Sequence, residues 1–452
     1  MRWRDLFLPR LPSRSPRPGL EHFHIERPDR MTRVHLRVEE DGGGLMLVDA
    51  SVAVRLNRTG MALARTILEG KSLEEAQREL QRTFRNAPAE QVAEDYEKVR
   101  RVLFPAEAAE DACPWLDLAS QDDEPFSMKV SAPYRADLAL TYRCQNECPH
   151  CYVERERDMP SLSLEQWRAV LERLWDAGIP HVCFTGGEAT LCEFLIELVE
   201  KAEDLGQVTG LLTNGRRLCD RDYVRRLVGA GLDHVQITIE SHLEDVHNRM
   251  VGAPGFAETL AGIRNAIAED IYVVTNSTLT KWNAPAIEQT AEFLHGLGVR
   301  AFACNSLIIS GGAKESDAGL EIDDLVRILP LIVEKARALG MRFIWYTPTP
   351  YCRMNPAQLG LGFKRCTAAE YNICIEPNGD VLPCQSYYQA AGNILTDEWK
   401  AIWESSVFRD IRERRNVPDD CRGCPDFPVC GSGCPLSREH DMVQCMDRVS
   451  EG

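Results

Sequence analysis

No apolar run in the chain approaches the roughly 20 residues that a membrane-spanning helix requires. The opening stretch, MRWRDLFLPRLPSRSPRPGL, has only a three-residue apolar patch among arginines and prolines. No export signal is read there, and a cytoplasmic protein that stays off the membrane is expected. Positive charge is also short: 52 Lys and Arg stand against 69 Asp and Glu, a formal net charge of −17. A broad nucleic-acid-binding face does not fit that balance. Nor is the composition that of a disordered or fibrous chain, with 44% hydrophobic and 27% charged residues. At roughly 150 residues per domain, 452 residues make about three domains with cores of their own.

Cysteine, by contrast, is in excess: there are 17, and eleven of them fall in two clusters. An odd count, no export signal and short spacings favour metal-binding thiolates in a reducing compartment over disulfides. The first cluster is Cys144, Cys148 and Cys151 in TYRCQNECPHCYV, a CxxxCxxC run directly after the strand-like ADLALTY. A structural zinc site closes with four ligands, whereas three thiolates leave one metal of a cubane open. His150, adjacent to Cys151, would crowd the same metal and is read instead as a ring packed over the cluster.

These residues resemble the radical S-adenosylmethionine (SAM) superfamily, whose CxxxCxxC motif follows the first strand of a partial (β/α)6 TIM barrel. A helix-like segment from about Ser163 to Ala177 and the strand HVCFTGG come next, ending in Gly186, Gly187 and Glu188. That trio is similar to the family's GGE motif, which implies backbone contact with the amino group of the cofactor's methionine moiety. Ala189 stands where the family commonly has proline. The resemblance further implies SAM contacts at later strand ends: Thr213 and Asn214 in GLLTNGR, Thr238 and Glu240 in HVQITIES, and Ser277, with Asn276, in YVVTNSTLT. Strand-end polar residues also serve as helix caps, so each taken singly has that alternative. Recurrence at the same place in successive units supports the site reading, because βα barrels carry their chemistry at the C-terminal ends of strands. Strands are expected near 136–141, 180–185, 209–213, 233–239, 271–279 and 299–307, followed by a helix in RILPLIVEKARALG and an extra strand in MRFIWYT.

The second cluster is Cys366, Cys374, Cys384, Cys421, Cys424, Cys430, Cys434 and Cys445, with Gly379 five residues before Cys384. It resembles the SPASM extension. By position, the family's interleaved connectivity gives one [4Fe-4S] cluster to Cys366, Cys374, Cys384 and Cys434, and another to Cys421, Cys424, Cys430 and Cys445. Two zinc-ribbon sites are the competing assignment. PNGDVLPC reads as a tight turn between two strands. Cys113, Cys183, Cys192, Cys219 and Cys304 stand singly and are read as plain thiols. Cys352 has three readings: a substitute ligand for Cys366 or Cys374, or a residue facing the active site.

At the amino terminus, residues 1–22 are expected to be a disordered arm. RVHLRVEEDGGGLMLVD reads as a hairpin turning at Gly42 to Gly44. Three helices follow in RLNRTGMALARTILEG, SLEEAQRELQRTF and PAEQVAEDYEKVRRVLF, the last two with Ser and Pro start signals. Residues 23–104 resemble the small peptide-binding chaperone of pyrroloquinoline quinone synthesis, a winged-helix-like, PqqD-like RiPP recognition element. That implies a leader peptide added as a strand to a sheet edge. A winged-helix-like domain that only packs on the barrel is the alternative. Residues 105–133 read as a linker, 134–347 as the α/β barrel and 348–452 as the SPASM domain.

The resemblance implies an oxidoreductase-like enzyme with SAM and three [4Fe-4S] clusters, served by a small electron donor such as flavodoxin or ferredoxin. Its radical would take hydrogen from a ribosomally made precursor peptide, and crosslinking or oxidation would follow, with the two auxiliary clusters accepting the remaining electron. Competing readings are a small-molecule, tetrapyrrole or metalloenzyme-cofactor substrate, and a non-catalytic iron-sulfur electron-transfer or scaffold protein. Related sulfatase maturases have an aspartate base directly after the cysteine equivalent to Cys384. This chain has Gln385, which puts deprotonation by that route in doubt; Tyr387 and Tyr388 lie nearby.

Overall fold

A computed structural model describes residues 19–26, 31–49, 52–84, 87–104, 126, 130–154 and 159–437. Cys113, Cys445, the arm up to residue 18 and most of the expected linker lie outside the described residues. The chain divides into two compact units, residues 1–131 with 175–180, and residues 132–174 with 181–452.

The first unit is a four-stranded antiparallel sheet, β1 (Gly19–Glu26), β2 (Met31–Val38), β3 (Gly44–Val48) and β4 (Val52–Leu56), in sequential order. Three helices follow, α1 (Arg58–Leu68), α2 (Leu73–Thr83) and α3 (Ala89–Leu103). Val34, Leu36 and Val38 alternate along β2 and enter one core with Met46, Met61, Leu63, Leu80 and Leu103. The expected hairpin joins β2 to β3, closed by Gly42 N–H to Glu39 O (2.9 Å) and Glu39 N–H to Gly43 O (2.8 Å). Helix starts follow their caps. Asn57 Oδ1 accepts from Gly60 N–H at 2.8 Å, and Ser72 with Glu75 forms a capping box. Two expectations need correcting. The arm gives way at Gly19, where β1 begins, and the residues just before α1 form β4 rather than helix.

The second unit alternates strands with helices: β5 (Arg135–Thr141), α4 (Leu164–Asp176), β6 (His181–Gly186), α5 (Leu195–Leu205), β7 (Val208–Thr213), α6 (Arg221–Gly229), β8 (His234–Thr238), α7 (Glu244–Val251), α8 (Phe256–Ala268), β9 (Tyr272–Leu279), α9 (Ile287–Gly296), β10 (Ala301–Ser306), α10 (Ile322–Ala338) and β11 (Arg342–Trp345). Each expected barrel strand is present, and neighbours from β5 to β11 pair in parallel. Buried strands of such a sheet are apolar nearly throughout, which is why β5 is buried along its whole length. After the barrel come β12 (Asn372–Ile375) and β13 (Val381–Leu382), then four short helices: α11 (Trp399–Trp403), α12 (Ser406–Arg412), α13 (Asp419–Arg422) and α14 (Phe427–Cys430). β12 pairs in parallel with β5, so the hairpin of the cysteine-rich region extends the barrel sheet at its first strand. Among the described residues no helix is long and apolar enough to cross a membrane.

Candidate cluster and cofactor site

The three-cysteine loop leaves the C-terminal end of β5 and is held from three sides. Glu147 N–H bonds Val251 O at the end of α7 (3.0 Å), and Ala313 N–H reaches Cys151 O (3.3 Å). Arg216, in the turn between β7 and α6, donates to Gln145 O (3.2 Å) and Asn146 Oδ1 (2.9 Å), and its own charge is paired with Glu258. Burial raises the Cys144 and Cys148 thiols, and each is raised further by Cys151. Three thiols on one short loop can hold three corners of a cubane. His150 is buried beside them; its Nε2 lies 3.1 Å from Glu240 Oε1, and its Nδ1 is buried without a hydrogen-bond partner.

The glycines after β6 are required by the chain itself. A Cβ on Gly186 would fall 2.1 Å from Thr141 O, and one on Gly187 would fall 2.4 Å from Tyr142 O. The backbone here lies against the start of the cysteine loop, tied by Gly187 N–H to Thr141 O (2.7 Å) and Glu188 N–H to Arg143 O (2.9 Å). The Glu188 carboxylate is buried and accepts four hydrogen bonds. Oε1 accepts from Thr190 N–H (3.1 Å), Thr190 Oγ1 (2.7 Å) and Thr213 Oγ1 (2.7 Å), and Oε2 accepts from Asn214 N–H (2.8 Å). These bonds tie the end of β6 to the end of β7, with one lone-pair site left on Oε2.

The other candidate residues divide by what their polar atoms already do. Thr213 Oγ1 also accepts from Gly215 N–H (3.0 Å), while Asn214 Nδ2 lies 3.9 Å from Cys144 Sγ, at the rim of the cysteine loop. Thr238 ends β8 half-buried. Glu240 faces His150 and accepts from Thr278 N–H at 2.8 Å; its backbone N–H bonds His247 Nδ1 at 3.2 Å. Ser277 Oγ donates to Ile239 O, whereas Asn276 keeps a buried Oδ1 without a partner. Adjacent strand residues face opposite sides, so of this pair Asn276 is the one with an acceptor to offer.

In the second cluster, Cys384 is raised by burial and then by Cys366 and Cys434; Cys374 is raised by burial, with Cys384 among its neighbours. These four sulfurs share one neighbourhood. Cys430 is likewise raised by burial and by Cys421, and Cys424 N–H bonds Cys421 O at 3.2 Å. Cys352 is disulfide-bonded, which corrects its reading as a substitute cluster ligand or an active-site thiol; the other described cysteines are free. Gln385 has both ends satisfied: Oε1 accepts from Tyr152 OH (2.6 Å) and Nε2 donates to Asp137 Oδ2 (3.3 Å). Tyr388 OH donates to Tyr152 O at 3.1 Å. Sequence reasoning missed Arg216, His247 and the part-buried pair of Tyr142 OH with Glu376 Oε1 (2.8 Å), whose members are 234 positions apart.

Parallel βα units, a three-thiolate loop after the first strand and a glycine-glycine-acid turn after the second define a radical SAM enzyme. Residues 138–294 match the Radical SAM superfamily, and residues 366–425 match SPASM, an iron-sulfur cluster-binding domain. PqqA peptide cyclase of Gluconobacter oxydans (strain 621H) is 30% identical over 319 residues, 68% of this chain and 87% of that protein. PqqA peptide cyclase of Rhizobium meliloti (strain 1021) is 27% identical over 319 residues, 68% of this chain and 83% of that protein. The fold is shared with Streptococcus suis SuiB, solved bound to precursor peptide SuiA, at a TM-score of 0.69 and 15% identity, covering 93% of this chain and 97% of that one. The chain belongs to the radical SAM superfamily and carries a SPASM domain; its cofactors are SAM and iron-sulfur clusters.

Proposed function

We propose that this enzyme modifies a ribosomally made precursor peptide, abstracting a hydrogen and then crosslinking or oxidising the residue concerned. The observation that carries this is its 30% identity to a PqqA peptide cyclase across 87% of that protein. Bound together, SAM and the cluster of Cys144, Cys148 and Cys151 supply a 5′-deoxyadenosyl radical by one-electron cleavage. The chain's own residues hold and exclude. Arg216 fixes the cysteine loop, Glu188 locks the two strand ends beneath it, and Asn214, Asn276, Thr238, Glu240 and the Gly186–Gly187 backbone line the cofactor's place. Because Gln385 has no lone pair of useful basicity and both its ends are bonded, it orients Tyr152 rather than taking a proton.

Two auxiliary [4Fe-4S] clusters complete the set of three, one on Cys366, Cys374, Cys384 and Cys434, the other on Cys421, Cys424, Cys430 and Cys445. A flavodoxin or ferredoxin in the cytoplasm supplies electrons. The amino-terminal unit acts as the PqqD-like leader-binding element. Its four-stranded sheet has β1 and β4 as edges where a strand can be added, and main-chain bonds there would give affinity while alternate side chains give selectivity. A leader so held also raises the effective concentration of the core peptide.

The test mixes the anaerobically reconstituted full chain, SAM, reductant and a precursor peptide encoded beside it. Peptide-dependent deoxyadenosine release with a product lighter by about two hydrogens per bond is expected. Release of deoxyadenosine with no change in the peptide's mass, and no binding of its leader, would remove the peptide reading while leaving the radical enzyme intact.

A further inference from the structure

The N-terminal ends of the barrel strands hold a second constellation that the radical chemistry does not use. One register row crosses four parallel strands: Asp137 on β5, Cys183 on β6, Gly210 on β7 and His234 on β8. His181, two positions before Cys183, shares its face. Residue 210 has no side chain, and its neighbours lean into that space. A Cβ there would lie 2.5 Å from Cys183 Sγ and 2.4 Å from His234 Nε2. Cys183 Sγ stands 3.5 Å from His181 Nε2 and 3.9 Å from His234 Nε2. All three ligand atoms lie within 4.8 Å of one another, the one group of His, Cys, Asp and Glu so gathered among the described residues. Their exposures are 2%, 0% and 7% for His181, Cys183 and His234.

We infer that His181, Cys183 and His234 form a mononuclear site for a divalent transition-metal cation of the zinc class at the floor of the barrel, apart from the radical centre. Tetrahedral zinc, with Zn–N of about 2.0–2.1 Å and Zn–S of about 2.3 Å, has an N···S edge of about 3.5 Å, and both observed separations lie close to it. Two imidazoles and a thiolate select zinc over magnesium or calcium, which take oxygen ligands. His234 is 7% exposed, a setting that favours the neutral imidazole a cation binds. Cys183 would ligate as the thiolate, so loading releases its proton to the medium. The nearby Arg135 guanidinium opposes a cation, but Arg135 is itself paired with Asp137. One zinc and one thiolate then leave a single positive charge in the pocket, with water in the fourth position.

The experiment loads the reconstituted full chain with Zn(II), removes excess by desalting against a weak chelator, and measures metals by mass spectrometry and zinc K-edge absorption. About one retained zinc per chain is expected beyond the iron, with three nitrogen or oxygen scatterers at about 2.0–2.2 Å, two of them imidazole, and one sulfur at about 2.3 Å. Cys183→Ser and His234→Gln should each lower zinc retention at least about tenfold, with iron content and SAM cleavage unchanged; tenfold is a modest expectation for removing a whole ligand. Wild-type protein that retains no zinc, an all-sulfur zinc shell, or undiminished retention in the variants would overturn the assignment. The absorption spectrum of the wild type decides the matter even if a variant fails to fold. Iron loading and SAM cleavage, read separately, keep this result distinct from the peptide reading.

Discussion

Glu188→Gln isolates what the acid of the glycine-glycine-acid turn does. The carboxylate accepts four hydrogen bonds at 2.7–3.1 Å from buried donors on Thr190, Thr213 and Asn214. An amide in its place can keep its oxygen on the two threonines, but then its NH2 group meets the Asn214 N–H. One buried backbone donor loses its acceptor, at about 1–3 kcal/mol, and the surviving bonds exchange a charged acceptor for a neutral one. The sum is about 2–4 kcal/mol, concentrated where β7 turns toward Arg216. By the tenfold per 1.4 kcal/mol rule, amide exchange across residues 212–216 should accelerate at least about 20-fold wherever local opening governs it.

Hydrogen exchange with mass spectrometry on the anaerobic holoprotein reads that opening directly, and titration with SAM reads binding. Thr213→Val removes one donor to the same oxygen, so a double-mutant cycle with Glu188→Gln should give a coupling of about 1–2 kcal/mol. A Glu188→Gln enzyme with wild-type exchange at 212–216 but greatly weakened SAM binding would refute the reasoning. The carboxylate would then be a direct ligand contact and not a lock.

Gly187→Ala places a methyl 2.4 Å from Tyr142 O and 2.6 Å from Arg143 O, both backbone. It should cost about 1–3 kcal/mol as overpacking and lower iron loading, while Gly229→Ala, with open space around it, should be neutral or slightly stabilising in the same melt. His247 is pushed down to about 4 by burial, against an ordinary value near 6.5. The unfolded chain therefore takes up the proton first as pH falls, and stability is lost from about 6.5 downward. Between pH 7 and pH 5 this amounts to about 2 kcal/mol, and His247→Asn, which keeps an acceptor for the Glu240 N–H, should flatten the profile in urea melts. Iron analysis should give about twelve per chain for three cubanes and about eight for either Cys144→Ala or Cys384→Ala, with deoxyadenosine production abolished in Cys144→Ala. Unchanged iron in Cys384→Ala would contradict the auxiliary assignment.

What could be read in the chain is whatever repeats locally. The barrel strands are short apolar runs with polar or glycine ends, and the ligand cysteines have fixed spacings, so both stand out one segment at a time. β1 does not, because GLEHFHIE half-exposes an alternating, histidine-bearing face straight after an Arg-Pro-rich arm. β4 is masked by the helix signal that begins at Asn57. The parallel pairing of β12 with β5 joins segments more than 230 residues apart, and no local pattern encodes such a register. The same limit governs the side chains. Glu188 was legible as part of a motif, but the bonds its side chain makes depend on two strand ends meeting. Cys183 illustrates it most fully. Alone in HVCFTGG it reads as a plain buried thiol, and His181 and His234 read as unremarkable first residues of strands. Only the parallel register brings His234 of β8 across Gly210 to the face that His181 and Cys183 share on β6, and only a glycine at position 210 leaves room for them to converge. A His-x-Cys pair on one strand carries no metal-site signature until a third ligand arrives from a strand 51 residues further on.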